Sequence, residues 1–174
     1  MNIISNRWCD SIESTTWKDD TNQAVNELPS ELINIMSDRG SLTSALRAIA
    51  NDTFEVRVIA ENLGRPFASE ATKLNLPEKS QATIREVELM IYETPVVYAR
   101  SIIPSDLTQR KETGLANLGS KPLGHLLFKD GRMRKSRREF TCVEGIFGRR
   151  TPYEYEGGTI LVNEFFLDAL KKYL

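Results

Sequence analysis

An α+β fold on an antiparallel sheet is predicted by three features of the sequence. Apolar residues recur at helical spacing between Leu32 and Ile49, then alternate at a period of two from Phe54 onward. The two longest alternating stretches, 83–92 and 96–103, are parted only by Glu93-Thr94-Pro95, and so short a link forces them antiparallel. Helical pattern first and hairpins afterwards, with helices inserted, is the order of an α+β domain rather than a doubly wound one.

Each element follows from local chemistry. Residues 1–28 are polar, with Trp8, Ile12 and Trp17 as the anchors by which they wrap loosely on a domain formed by residues 29–174. Ser30 is placed to cap a short helix carrying Leu32, Ile33, Ile35 and Met36, and Gly40 stops it. Ser41 caps a second helix, with Leu42, Ala45, Leu46 and Ile49 on one face, so the two form a helical hairpin. Phe54, Val56, Val58 and Ala60 alternate with Glu55, Arg57 and Ile59, the pattern of a half-buried strand. After the 83–92 and 96–103 pair, Pro104 ends the hairpin and Ser105 caps a helix running toward Asn117. Gly119 and Pro122 flank a joint before the apolar run 123–128. Further strands are predicted at 139–144, 151–155 and 159–166, and residues 167–174 close the chain as an amphipathic turn or two.

Composition narrows the function. Of 174 residues, 40% are apolar and 27% charged, the mix of a soluble domain with one sizeable core. The 23 basic and 24 acidic side chains nearly cancel, which gives no global pull toward nucleic acid or anionic lipid. No apolar run approaches the roughly 18 residues a spanning helix needs, and the start has no signal-peptide pattern. Cys9 and Cys142, far apart, read as reduced thiols of a cytoplasmic protein, Cys142 as a small core residue of its strand. A single histidine, His125, disfavours zinc hydrolases, Ser-His-Asp hydrolases and di-iron sites, and itself reads as a helix-surface or satisfied core residue. There is no GxGxxG, and the Gly119 to Gly124 spacing is followed by His125, so it is not a phosphate loop.

Strand alternation exposes the most informative feature. Arg85 shares a face with Val87, Leu89 and Ile91, and Glu164 shares one with Ile160, Val162 and Phe166. A charge on an apolar face is costly unless it is partnered. Two readings follow: Arg85 and Glu164 form a structural pair (or Arg85 snorkels at a strand end), or they line an enclosed pocket for a small carboxylate. A planar guanidinium grips a carboxylate through two parallel hydrogen bonds, and a buried glutamate can hold a hydroxyl or take a proton at the far end. The span 121–150 holds nine basic and three acidic residues, six of the basic ones between Lys129 and Arg138. Without interleaved aromatics or a groove-reading helix this is no nucleic-acid site. It reads as a solvated hairpin flank, or else as a positive field that draws in an anionic substrate.

Several stretches, in order, carry a family resemblance: Gly40-Ser41-Leu42-Thr43, Ile84-Arg85-Glu86-Val87-Glu88-Leu89 and Ala99-Arg100-Ser101-Ile102-Ile103-Pro104. They continue with Leu118-Gly119-Ser120-Lys121-Pro122-Leu123-Gly124, Leu127-Phe128, Phe147-Gly148-Arg149-Arg150-Thr151 and Leu161-Val162-Asn163-Glu164-Phe165-Phe166-Leu167. No one of these is diagnostic, but their order and spacing are specific, and from about Leu32 to Leu167 the chain resembles the bacterial chorismate pyruvate-lyases, which make 4-hydroxybenzoate for ubiquinone synthesis. The resemblance implies an antiparallel sheet of about six strands, with helical flaps over an internal ligand pocket. The hairpin around Gly40 and the segment near Pro122-Leu123-Gly124 match the flaps. It also implies that Arg85 and Glu164 bind and act on the ligand, with backbone groups of Leu42 and Leu123 completing its binding. Departures are Leu42 where methionine is expected and Phe147 where tryptophan is expected; a backbone contact at Leu42 tolerates the first. Residues 1–28 and the tail after Leu167 have no clear counterpart in these blocks.

The implied reaction converts chorismate to 4-hydroxybenzoate and pyruvate, and its atoms balance without water, redox cofactor or metal. Arg85 falls to the ring carboxylate and Glu164 to the ring hydroxyl, either positioning it or helping to move the proton. Arg149 and Arg150 are weaker candidates for the enolpyruvyl carboxylate, one of them alternatively pairing with an acid on a neighbouring strand. The expected partners are chorismate and its products, with no cofactor, no metal and no nucleic acid, and the expected state is a monomer. The alternative function is a non-catalytic sensor of an aromatic carboxylate, since effector domains of some transcription regulators are similar in fold. A related enzyme yielding a different hydroxybenzoate is the third reading.

Overall fold

A computed structural model describes residues 6–77, 79–129, 131 and 133–174. Helix α1 (Asn6–Ser14), strand β1 (Lys18–Asp19) and one helical turn, α2 (Asn22–Asn26), precede the hairpin of α3 (Ser30–Ser37) and α4 (Leu42–Ala50). Next come β2 (Phe54–Gly64), α5 (Ala68–Lys73), β3 (Ala82–Ile91), β4 (Thr94–Pro104) and α6 (Ser105–Gln109). Helix α7 (Leu123–Lys129), β5 (Arg134–Lys135), β6 (Glu139–Val143), β7 (Ile146–Tyr155) and β8 (Gly158–Phe166) complete the order, and a 3-10 turn over Asp168–Lys172 closes it. Among the described residues no helix is long and apolar enough to cross a membrane.

The strands form one antiparallel sheet in the order β1-β6-β7-β8-β4-β3-β2, with β5 also on β7. That makes eight strands against about six expected. The two extra, β1 and β5, have two residues each, too short to leave an alternation in the sequence. Tight turns of two residues with positive φ join β3 to β4 (Tyr92, Glu93), β6 to β7 (Glu144, Gly145) and β7 to β8 (Glu156, Gly157), the backbone that suits the twist of a hairpin. The first turn therefore falls at Tyr92-Glu93, and Thr94 and Pro95, expected in the turn, begin β4. Ser41 caps α4 as expected, its Oγ accepting from the Ser44 N–H at 3.3 Å. Ser30 is the first residue of α3 rather than its cap. The helix predicted from Ser105 toward Asn117 stops at Gln109, where the backbone of Arg110 turns extended (φ -82°, ψ 112°), and two 3-10 turns parted by Gly114 at φ 69° follow.

Both faces of the sheet are covered. On the front, Leu32, Ile35, Met36, Leu42 and Leu46 from the helical hairpin pack on Val87, Leu89, Val97, Ala99 and Phe166. Leu107, Leu118, Leu123 and Leu127 pack beside them on Ile160, Val162 and Tyr153. On the back, Ile12 and Trp17 of the N-terminal segment meet Tyr98 and Phe165, so this segment is pinned at those anchors and extends the sheet through β1. Trp8, the third expected anchor, and Cys9 have side chains outside those described. Cys142, expected in the core, is exposed: β1 pairs with β6 only as far as Phe140 and leaves Cys142 on a bare edge.

The back face also carries a buried polar network that holds α5 down. Glu70, 1% exposed, accepts from Arg100 Nε at 2.9 Å and Nη2 at 3.2 Å, and from Asn163 Nδ2 at 3.0 Å. Its other contact, the Phe67 N–H at 2.9 Å, caps its own helix. Burial works against the Arg100 charge, but Glu70 outweighs it and holds that guanidinium above its ordinary pKa. Removing one partner of such a network strands the others, so Glu70→Ala should lower unfolding free energy by about 3 kcal/mol. Urea denaturation checks this: the midpoint should fall with an unchanged slope, and Glu70→Gln should recover part of the loss.

Candidate active site

A small cavity of about 50 Å³ lies on the front face, between the sheet and the two helical flaps. Its floor is β3, β4 and β8, through Arg85, Val87, Leu89, Ala99, Ser101, Val162 and Glu164. Its roof is the start of α4, at Leu42 and Thr43, and the start of α7, at Leu123 and Gly124. Leu42, Arg85, Leu123 and Glu164 thus all line one chamber. Leu42 and Leu123 are each the first residue of their helix, where the N–H has no intrahelical acceptor, so both roofs begin with backbone donors. The flaps meet at Gly124: a Cβ there would lie 3.2 Å from Thr43 Oγ1.

Arg85 and Glu164 stand at opposite ends and are not paired with each other. Arg85 registers with Ser101 on β4, and Glu164 with Ala99 two residues along, so one strand and a two-residue offset separate them. Strand geometry puts their Cα atoms about 12 Å apart. Arg85, 2% exposed, donates through Nη1 to Glu61 and through Nη2 to the carbonyls of Gly119 at 2.7 Å and Lys121 at 3.2 Å. At least two of its five N–H groups remain for a ligand. Glu61 was not foreseen, and the reason is local. A bulge in β2 between Val58 and Ala60 reverses the alternation, so Glu61 comes opposite Arg85 on the cavity side.

At the other end the Glu164 carboxylate accepts from Arg149 Nε at 2.6 Å. Arg149, 3% exposed, also donates through Nη1 to the carbonyls of Ile35, Met36 and Asp38, closing the C-terminus of α3. Burial opposes its charge, and the Glu164 carboxylate more than offsets this, holding the guanidinium above its ordinary pKa. Arg150 does not join it. Neighbours in a strand face opposite ways, and Arg150 lies on the back, donating to Glu139 at 2.5 Å and resting 4.5 Å from the centre of the Trp17 ring. Tyr153, which follows Arg149 and Thr151 on the front, borders the cavity beside Glu164; burial first and then that carboxylate push its phenol well above the usual range. His125 is exposed on α7, and among the described residues no cluster of three or more His, Cys, Asp or Glu is placed to hold a metal ion.

This chamber has a cation at one end, a carboxylate at the other and an apolar middle. Opposite charges across an apolar space are groups that can engage an acid and a hydroxyl.

Known proteins bear on this arrangement. The sequence matches the chorismate lyase family over residues 11–173, a span that takes in most of the N-terminal segment and the tail. It is 37% identical over 149 residues to a probable chorismate pyruvate-lyase of Methylococcus capsulatus, covering 76% of this chain and 92% of that one. A probable chorismate pyruvate-lyase of Pseudomonas putida is 36% identical over 144 residues, covering 76% of this chain and 79% of the other. In fold, the chain is similar to a possible transcriptional regulator from Bacillus subtilis, with a TM-score of 0.51 at 9% identity over 70% of this chain and 62% of that one. The C-terminal domain of the histidine utilization repressor from Pseudomonas syringae gives a TM-score of 0.51 at 7% identity over 67% of this chain and 92% of that one. At such identities these two describe the architecture alone, whereas the sequence matches carry descent: the chain belongs to the chorismate lyase family.

Proposed function

We propose that the cavity converts chorismate to 4-hydroxybenzoate and pyruvate, without a cofactor, and so supplies the aromatic ring for ubiquinone synthesis. The observation that carries this reading is the opposition of Arg85 and Glu164 across one largely apolar chamber. Arg85 binds the ring carboxylate through its free N–H groups, and Glu164, held by Arg149, takes the ring hydroxyl. The N–H groups of Leu42 and Leu123 add donors from the roof.

The chemistry asks little beyond placement. The ring loses hydrogen from the carbon that bears the hydroxyl, and the ether C–O bond breaks at the neighbouring carbon. The ether oxygen becomes the keto oxygen of pyruvate, the hydrogen ends on its methyl carbon, and the ring becomes aromatic. Aromatisation drives the reaction, so the protein orients and desolvates the substrate. Glu164 lies beside the hydroxyl-bearing carbon, where it can position the group or relay the proton. A direct transfer within the substrate needs no base.

The small volume has a kinetic consequence. An aromatic ring needs more room than about 50 Å³, so the flaps shift to admit or release it, and product release limits turnover.

Purified protein mixed with chorismate should release equal amounts of 4-hydroxybenzoate and pyruvate. Arg85→Ala should lower kcat/KM by about a hundredfold or more, the value of a lost charged hydrogen-bonding partner. Saturable binding of 4-hydroxybenzoate with no turnover would instead identify a sensor, and a different hydroxybenzoate would identify a related enzyme. Gly124→Ala should prop the flap seam open, raising the 4-hydroxybenzoate off-rate and kcat together in stopped-flow and steady-state assays. An unchanged off-rate would place the slow step elsewhere.

A further inference from the structure

A second cavity, of about 330 Å³, opens outside the Glu164 end of the first. Tyr153 lines both, and the Arg149–Glu164 pair stands between them. Its walls are unevenly charged: Arg39, Lys135, Arg137, Arg138 and Arg149 face Asp20 and Asp38.

Most of these cations are committed. Arg138 donates to the Asp20 carboxylate and to the carbonyls of Met36, Ser37 and Asp38, which uses its whole guanidinium. Arg39 and Arg137 are largely exposed and pair loosely with Asp20 at 3.8 Å and Asp19 at 3.6 Å. Two groups keep donors to spare. Arg149, 3% exposed, uses Nε and Nη1 on the protein, and no described residue accepts from its Nη2. Lys135 donates to the carbonyls of Arg39 and Gly40, the latter at 3.0 Å, which leaves one of its three protons. Its ammonium rests 4.5 Å from the centre of the Phe128 ring on α7, so it joins both flaps at the mouth of the chamber.

We propose that this outer cavity is a carboxylate subsite, in which Arg149 Nη2 and Lys135 Nζ grip the three-carbon arm of the substrate and then the keto-acid product. The inference rests on the lyase reading for the identity of that arm. The ether-bearing carbon neighbours the hydroxyl-bearing one, so the arm leaves the ring at the Glu164 end, toward Arg149 and Tyr153. A carboxylate is the anion two adjacent cations with spare donors would hold. Lys135 feels its setting. Burial, and then Arg149, depress its pKa to about 8, with Arg138 acting in the same sense and Glu164 and Asp38 against it.

The test is titration of the whole protein with pyruvate, by calorimetry, in saturating 4-hydroxybenzoate. Pyruvate should bind saturably, and Lys135→Met should weaken it about tenfold while leaving the 4-hydroxybenzoate Kd within about twofold. The same variant should raise KM for chorismate. Since binding requires the charged amine, wild-type affinity for pyruvate should fall as pH rises through about 8. Lys135→Arg should keep the binding and lose that pH dependence. Pyruvate affinity indifferent to Lys135→Met, or absence of pyruvate binding in a protein that turns chorismate over, would overturn the subsite. If chorismate is not turned over but pyruvate binds in a Lys135-dependent way, the outer site stands and the lyase reading falls.

Discussion

The Arg149 guanidinium ties the front of this protein together. One nitrogen holds the Glu164 carboxylate at 2.6 Å, a second closes the end of α3, and the residue also lines the outer cavity. Two charges that would each be ruinous alone on an apolar face are tolerable together. The same guanidinium positions Glu164 at one end of the chamber, holds the helical hairpin that roofs it, and separates it from the cationic space outside. Arg85 works differently at the far end. Its partners are one carboxylate from an edge strand and two loop carbonyls, so the loop before α7 is anchored by the residue assigned to the ligand. Both buried arginines thus tie the sheet to the segments that cover it.

The sheet's two faces divide the work. On the back, Glu70, Arg100 and Asn163 hydrogen-bond to one another and bind α5 to β4 and β8. That network anchors β8 where Glu164 projects from its other side, since Asn163 and Glu164 are neighbours facing opposite ways. An anchored floor is what a site needs if geometry provides most of the rate.

Much of this was legible in the sequence. Strict alternation put Arg85 and Glu164 on apolar faces, and the helix hairpin followed from Gly40 and Ser41. What the sequence hid has specific causes. The bulge in β2 broke the parity that would have revealed Glu61 as the partner of Arg85. Parity alone also separates Arg149 from Arg150, but the strand was read as starting at Thr151, whereas β7 begins at Ile146. The basic run near Arg138 looked like a solvated flank because nothing local tells a guanidinium on helix-end carbonyls from one in water. Arg138 is buried by contacts with residues a hundred positions away in the chain. Glu70 and Asn163 escaped notice for the same reason, since a single polar residue announces a network only when its distant partners are known.

The central claim is the orientation of a ligand between Arg85 and Glu164, and a crystal structure with 4-hydroxybenzoate tests it most directly. The ring should lie in the inner chamber with its carboxylate about 3 Å from the Arg85 guanidinium and its hydroxyl about 3 Å from the Glu164 carboxylate. A ring bound the other way round, or outside the chamber with Arg85 still fully engaged by Glu61, would contradict it.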